Sequence, residues 1–435
     1  MNRGVKFLLG AAVVSAIGAL TIVPEVPTVT SQDSAVALEV SVEPTPLRIS
    51  CPGSFVEFGG ESGVDLGSIE RVGEAAVSVA QAEYQPSDPL TADFIELVAE
   101  GDDQSTALLS ASQAQFVDRE RATGLSATFC EQPATTGWFI SGQSSVGAET
   151  VLLLQNPNAI DTQLVLNLHL PGGITQERLT LGAGQERLIG MAPLAGLAPI
   201  YAIEFESLGT PIVAAIQQRF SRGLTPLGVS TSMASASVTT DQWMTPVAVM
   251  AEGYQAPVLR IYAPQERAEV IVTAFSAEGS EIIRQVVAEQ SFVELPLELP
   301  NGLYALKLQS DQPVLAGVLN PSLEPLDHAW IAPAEALAEV TLAIPSYATD
   351  LVITNPNAVA ISANVELLQG QRRSIQSVQV EPLSVVAVPV TGRSVSVSSA
   401  SAIFTALQIR DPLGYAVIIP SENQNAGSQM EIIVR

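Results

Sequence analysis

One stretch that repeats itself three times constrains this chain more than any other feature. Beyond residue 135 the same order recurs: a Trp, a strand, a Pro-containing turn, an alternating strand, a strand–turn–strand unit and an apolar closing strand. The Trp steps are Trp138-Phe139-Ile140-Ser141-Gly142, Trp243-Met244-Thr245-Pro246 and Trp330-Ile331-Ala332-Pro333, spaced 105 and 87 residues apart. The turns are Asn156-Pro157-Asn158, Ala263-Pro264-Gln265 and Asn355-Pro356-Asn357. Asn tolerates the left-handed backbone that β-turns use, so the Asn-Pro-Asn steps read as structure. After the first turn Leu164, Leu166, Leu168 and Leu170 share one face, with Asn167 and His169 on the other. Val270, Val272 and Ala274 repeat the pattern, as do Val365 and Leu367. Alternation with a period of two marks a half-buried strand. These residues predict an all-β fold of tandem β-sandwich repeats of immunoglobulin-like size, although the Cys–Trp–Cys signature of immunoglobulin domains is absent.

The amino terminus predicts where the chain lives. Arg3 and Lys6 precede an uncharged, mostly apolar run from Phe7 to Val23, which Pro24 closes. A basic start followed by such a run is an export signal. The run reaches spanning length, and the small-residue pattern Ala16-Ile17-Gly18 lies inside it rather than after it. An uncleaved signal anchor is therefore expected, with a cleaved signal peptide as the alternative. Export puts Cys51 and Cys130 in an oxidising compartment, where an even pair predicts a disulfide. The expected organisation is 1–23 signal anchor or signal peptide, 24–45 extended stalk and 46–135 acidic β region closed by the disulfide. Sandwich repeats then occupy 136–240, 241–328 and 329–435. Residues 24–135 hold 19 acids against 4 arginines. Within them Leu47–Cys51, Glu74–Ala82 and Leu125–Cys130 are expected strands, while Thr106–Val117 suits a helix or a strand.

The formal charge is −26 and the pI about 4.3. Phosphates would be repelled, so no nucleic-acid partner is expected. With two His and two Cys, a His- or Cys-rich metal cage is excluded, and no cofactor or catalytic residue is assigned. Neither a nucleophile elbow nor a phosphate-binding glycine loop occurs. The Gly59–Gly67 cluster carries Glu57, Glu61 and Asp65 and reads as a solvated loop. His169 falls on a polar strand face, and Asp327-His328 lacks a companion nucleophile; both histidines read as surface or turn residues. Asp102, Asp103 and Glu252 offer oxygen ligands for calcium, yet no Asp-x-Asp-x-Asp-Gly loop exists, and a solvated acidic face is the plainer reading. Trp138, Trp243 and Trp330 are candidates for ligand stacking, one per repeat, against a role in core or inter-domain packing.

The basic anchor, Cys51-Pro52-Gly53, Cys130 shortly before Trp138, and the repeats with Asn-Pro turns together resemble an actinobacterial envelope family known as domain of unknown function 5719. Members are sometimes labelled "large extracellular alpha-helical protein", which the alternation here contradicts. The resemblance implies an exported, envelope location and supplies neither activity nor site residues. The expected role is a non-enzymatic, membrane-tethered β-sandwich scaffold or binding module, with an envelope protein or a neutral glycan as partner. The alternatives are an exported carbohydrate-active enzyme and a regulatory ectodomain of an envelope enzyme. Location is expected at the cell membrane through the single N-terminal segment, or outside the cell if that segment is cleaved.

Overall fold

A computed structural model describes residues 36–41, 47–59, 65–80, 95–99, 109–235, 237–250, 256–370, 372–421 and 429–434. The chain divides into two units, 1–43 with 427–435, and 44–426. In the first, Val36–Ser41 pairs antiparallel with Gln429–Val434, so part of the expected stalk is a paired strand. The expected anchor at 1–23 and the acids Asp102, Asp103 and Glu252 lie outside the described residues.

The second unit is nearly all β. Its one described helix is a single turn, Ala192–Ala195, with a Pro in the first turn. From residue 136 onward the strands pair in one order, used three times. In the first stretch one sheet runs Gly173–Leu181, Thr162–Leu170, Tyr201–Ser207, Thr136–Gly142. The facing sheet runs Glu186–Gly190, Ala148–Gln155, Val213–Arg222, Thr225–Met233. In the second stretch the strand Gly302–Leu323 serves both layers: its first part pairs with Thr239–Val249 and Ala268–Ser276, its second with Val258–Ala263 and Leu326–Ile331. Ser394–Asp411 does the same in the third. The strands thus curl over their own cores.

The alternation read from sequence fills those cores. Leu164, Leu166 and Leu168 are fully buried against Leu152, Leu154 and Ile216 of the facing sheet. Val270, Val272 and Ala274 do the same in the second stretch, and Val365 in the third. Asn156 and Asn355 are buried at the start of their turns. Each donates from Nδ2 to the carbonyl four residues on, Ile160 at 2.7 Å and Val359 at 2.8 Å. Each also accepts, through Oδ1, the N–H of the second Asn of its turn. The side chain therefore closes the turn that its backbone begins.

One sequence alignment needs correction, and one open reading is resolved. Trp330 lies on Leu326–Ile331, which pairs with Val318–Leu323, so it ends the second stretch rather than opening the third. The third opens with Leu337–Ala343, which has no Trp. The segment with two possible readings becomes the strand Ala111–Arg119, paired with Ala76–Val79 and Ala122–Phe129. Its alternate Gln side chains are buried and grip the loops before it. Gln113 exchanges hydrogen bonds with Gly53 at 2.8 and 2.6 Å, and Gln115 bonds Phe55 N–H and Val72 C=O at 2.7 and 2.6 Å.

Candidate functional site

Four hairpins meet inside the second unit. Their returning strands are Ala122–Phe129, Thr225–Met233, Leu326–Ile331 and Gly414–Ile418. Each touches the next. Ser126 Oγ lies 2.5 Å from Thr231 Oγ1, and Ser230 Oγ 3.1 Å from His328 Nε2. Asp327 accepts from Tyr415 N–H, and Gly414 packs on Leu125. The four strands close a ring.

Asp327 sits at its centre and is fully buried. Its Oδ2 accepts the backbone N–H of Leu125 at 2.8 Å and of Tyr415 at 2.9 Å. Its Oδ1 accepts those of Val229 at 3.0 Å and His328 at 2.9 Å. One carboxyl thus receives one N–H from each hairpin. The residues preceding the donors are Gly124, Gly228, Asp327 itself and Gly414. A Cβ on any of the three glycines would lie 2.5–2.7 Å from an Asp327 oxygen. Burial pushes the carboxyl up to about 7, and the four N–H groups oppose that rise. His328, expected at a turn or surface, is also buried. It stacks on Phe220 with ring centroids 4.3 Å apart, and burial lowers it to about 4. The Asp327 carboxyl is taken up by backbone N–H groups, and the His328 imidazole faces Ser230.

A cleft of about 520 Å³ opens where the same four strands end. Glu131, Ser232, Trp330 and Ile419 line it from the first, second, third and fourth strand ends respectively, and Glu335 lies beyond the third. Glu131 follows Cys130, whose disulfide to Cys51 is present with a Cα–Cα distance of 4.4 Å. Ser50 and Glu131 exchange backbone hydrogen bonds at 2.8 and 3.1 Å. The entering strand Leu47–Cys51 is thereby pinned beside the cleft. Glu131 is partly buried on the cleft wall. Loss of solvent, then the charge of Glu335, push its carboxyl up to about 8. Two carboxyls lining one cleft, one of them with its proton affinity raised by burial, suit general acid–base work or the holding of a cation.

The candidate stacking residues lie at seams. Trp138, Trp243 and Trp330 are 9%, 8% and 7% exposed. Trp138 packs on His169, 4.9 Å between ring centroids, in a cluster with Tyr262 and Trp330. Trp243 stacks on Phe275 and meets Phe404 of the third stretch. The guanidinium of Arg260 lies 4.8 Å from the Trp330 ring centroid. Of the three, Trp330 alone borders the large cleft. His169, expected on a polar face, is 4% exposed, because that face is covered by the next stretch. Its Nδ1 lies 2.8 Å from Tyr262 Oη, and Nε2 lies 3.4 Å from Glu204.

Sequence reasoning missed three residues: Glu131, Asp327 in its central role, and Arg260. Arg260 is buried, donates to the carbonyls of Ile140 and Gly142 at 3.0 Å each, and pairs with Glu294 at 2.8 Å. Aligning the four hairpins on Gly124, Gly228 and Gly414 would have exposed Asp327 as the exception. No signal in the sequence marks the other two. Among the described residues no group of three or more His, Cys, Asp or Glu is placed to hold a metal, and no helix is long and apolar enough to cross a membrane.

The model of the Family of unknown function (DUF5719) matches residues 64–392. No curated protein matches the chain. Among solved structures, Thermotoga maritima 1070 is 13% identical and covers 24% of this chain and 94% of its own, with a TM-score of 0.22. Streptomyces avermitilis alpha-L-rhamnosidase, complexed with L-rhamnose, is 8% identical over 87% of this chain and 55% of its own, with a TM-score of 0.13. The chicken CNTN1 FN1-FN3 domains are 11% identical over 70% of this chain and 99% of their own, with a TM-score of 0.11.

Proposed function

Since the chain belongs to that family, whose description assigns no activity, we propose a role from its own residues: an exported, non-enzymatic envelope protein. It is a membrane-tethered scaffold or binding module made of tandem β-sandwiches of immunoglobulin-like size. The observation that carries this reading is the hub at Asp327. One buried carboxyl bonds all four hairpins and makes a single stiff body of separate sheets. Stiffness of that kind serves presentation of a surface more than the closure of a lid over a substrate. The disulfide, the basic and apolar amino terminus and the charge of −26 support an oxidising, extracytoplasmic setting. Such a charge favours a neutral glycan or a basic protein over an anionic polymer.

The test is retention. Purified full-length protein is mixed with isolated cell-wall material and with detergent-solubilised membranes. Saturable retention by either supports the reading. One observation favours a second reading, an exported carbohydrate-active enzyme: the Glu131–Glu335 pair on the cleft. Release of reducing ends from wall glycan, abolished by Glu131→Gln and with no saturable retention, would replace the scaffold by that enzyme.

A further inference from the structure

We propose that the strand Arg372–Val380 is a docking edge, to which an extended acidic segment of a partner protein adds as a further antiparallel strand. This deepens the binding-module reading above and rests on it. The strand ends its sheet: it pairs with Ile361–Gln369 on one side, and among the described residues no strand pairs with the other. Alternate residues of such an edge turn N–H and C=O outward to no partner strand. Arg372 to Ser377 are exposed without a break, so both faces of this part of the strand are open as well as its edge. Natural edges are commonly closed by a proline, a bulge or a covering loop. Here the register runs through nine consecutive pairs without a shift, and the strand holds no proline. A strand left open in this way can accept another by backbone pairing.

Charge points to the occupant. The first two stretches have equivalent edges, Gly173–Leu181 and Gly279–Val287. Each carries both signs, Glu177 with Arg178 and Glu281 with Arg284. The third edge has two arginines and no acid. Residues 367–410 hold four arginines against one acid, Glu381, in a chain of −26. Glu381 follows the far end of the strand, away from Arg372 and Arg373. Arg372 makes no ion pair among the described residues. Arg373 meets Glu366 at 3.2 Å with 73% of its side chain still exposed. Arg393 donates its backbone N–H to Leu368 C=O at 2.8 Å, which sets a third exposed arginine at the same end of the sheet. Carboxylates on alternate residues of an incoming strand would meet these guanidiniums as cross-strand pairs. Ile375, 70% exposed and two residues beyond Arg373, offers the same strand an apolar contact. The acids elsewhere on the chain repel an acidic segment at long range, but at 0.15 M salt that field fades within about 8 Å, and the local sign decides at contact.

The experiment is calorimetric titration of the full chain at about 0.15 M salt and neutral pH. Three capped peptides are the probes: acetyl-Thr-Val-Thr-Val-Asp-Val-Asp-amide, its counterpart with both Asp replaced by Asn, and the acidic sequence with every backbone nitrogen methylated. The acidic peptide is expected to bind about tenfold tighter than the Asn peptide, the worth of two exposed ion pairs. Methylation keeps the charge and removes the ladder donors, so it is expected to weaken binding by about tenfold or more. Arg372→Gln combined with Arg373→Gln should bring the acidic peptide down to the level of the Asn peptide. Both side chains are exposed, so the double variant should keep the wild-type unfolding midpoint; if it does not, the three peptides on the wild-type chain decide. Arg178→Gln, on the equivalent edge of the first stretch, is expected to change nothing. Equal binding of the acidic and Asn peptides overturns the proposal. So does full binding of the methylated peptide, which would leave only diffuse attraction of anions, and so does an equal loss from Arg178→Gln. If envelope retention survives while the acidic peptide fails to bind, the edge proposal falls alone. If the peptide binds but nothing in the envelope is retained, the scaffold reading falls alone.

Discussion

Gly228→Ala tests whether the hub is as tightly built as its hydrogen bonds suggest. The new methyl would lie 2.5 Å from Asp327 Oδ1, 2.6 Å from its Cα and 2.8 Å from His328 N. Two of those atoms are backbone and cannot swing aside. The φ of +123° adds a conformation that L-residues rarely adopt. Strain of that kind costs about 1–3 kcal/mol. Forcing a methyl into a filled core costs about 1–3 kcal/mol more. The expected loss is therefore about 2–6 kcal/mol. Gly223 is the control, in the turn of the same hairpin. Its φ is +63° with nothing within 4 Å of the added carbon. Gly223→Ala should cost only the left-handed backbone term, about 1–2 kcal/mol. The assay is denaturant unfolding of the full chain, followed by tryptophan fluorescence and by circular dichroism. Two probes are needed because a chain of several cores can depart from two-state behaviour. Equal losses for the two variants would refute the reasoning, since they would show that the Asp327 strand yields without penalty.

Three further outcomes are expected. Glu131 has a folded value of about 8 against an ordinary 4.5, so the folded state binds its proton more tightly. Its contribution is full below the ordinary value and is lost as pH rises through about 8, and Glu131→Gln should flatten the stability profile across that window. His328 has the opposite sign: with a folded value of about 4 against 6.5, stability is lost as pH falls through that range, and its ring proton resonances should not titrate between about pH 5 and 8. Reduction, or Cys51→Ser, opens a link spanning 79 residues of sequence. It should cost about 4 kcal/mol by loop entropy, read as a shift in denaturant midpoint.

Most of the β architecture was legible because it is written locally. Leu164 to Leu168 alternate, turns fall at Asn-Pro-Asn, and the pleat then decides which face is buried. What escaped was set by partners far along the chain. Trp330 carries the local pattern of an opening strand, yet the strand it belongs to is fixed by pairing with residues 318–323. His169 shows the alternation of an exposed face, and only the approach of Tyr262, 93 residues later, buries it. Asp327 has its four donors 202, 98, 88 and 1 residues away. Nothing in Leu326-Asp327-His328 announces a central acceptor. The cleft is a product of the same distance, since Glu131 and Glu335 meet only where four strands end together.

The single aspartate among three glycines also bears on how such a body can be encoded. A ring of four identical subunits would place the same residue at all four inner positions. Four aspartates would crowd four charges into one point, and four glycines would leave four N–H groups facing each other with no acceptor. Only a chain that carries its copies in tandem, free to differ from one another, can set one acceptor against its neighbours' donors. Asp327 makes this assembly indivisible: a free-standing copy of any one hairpin stretch would lack either the carboxylate or three of the donors it needs.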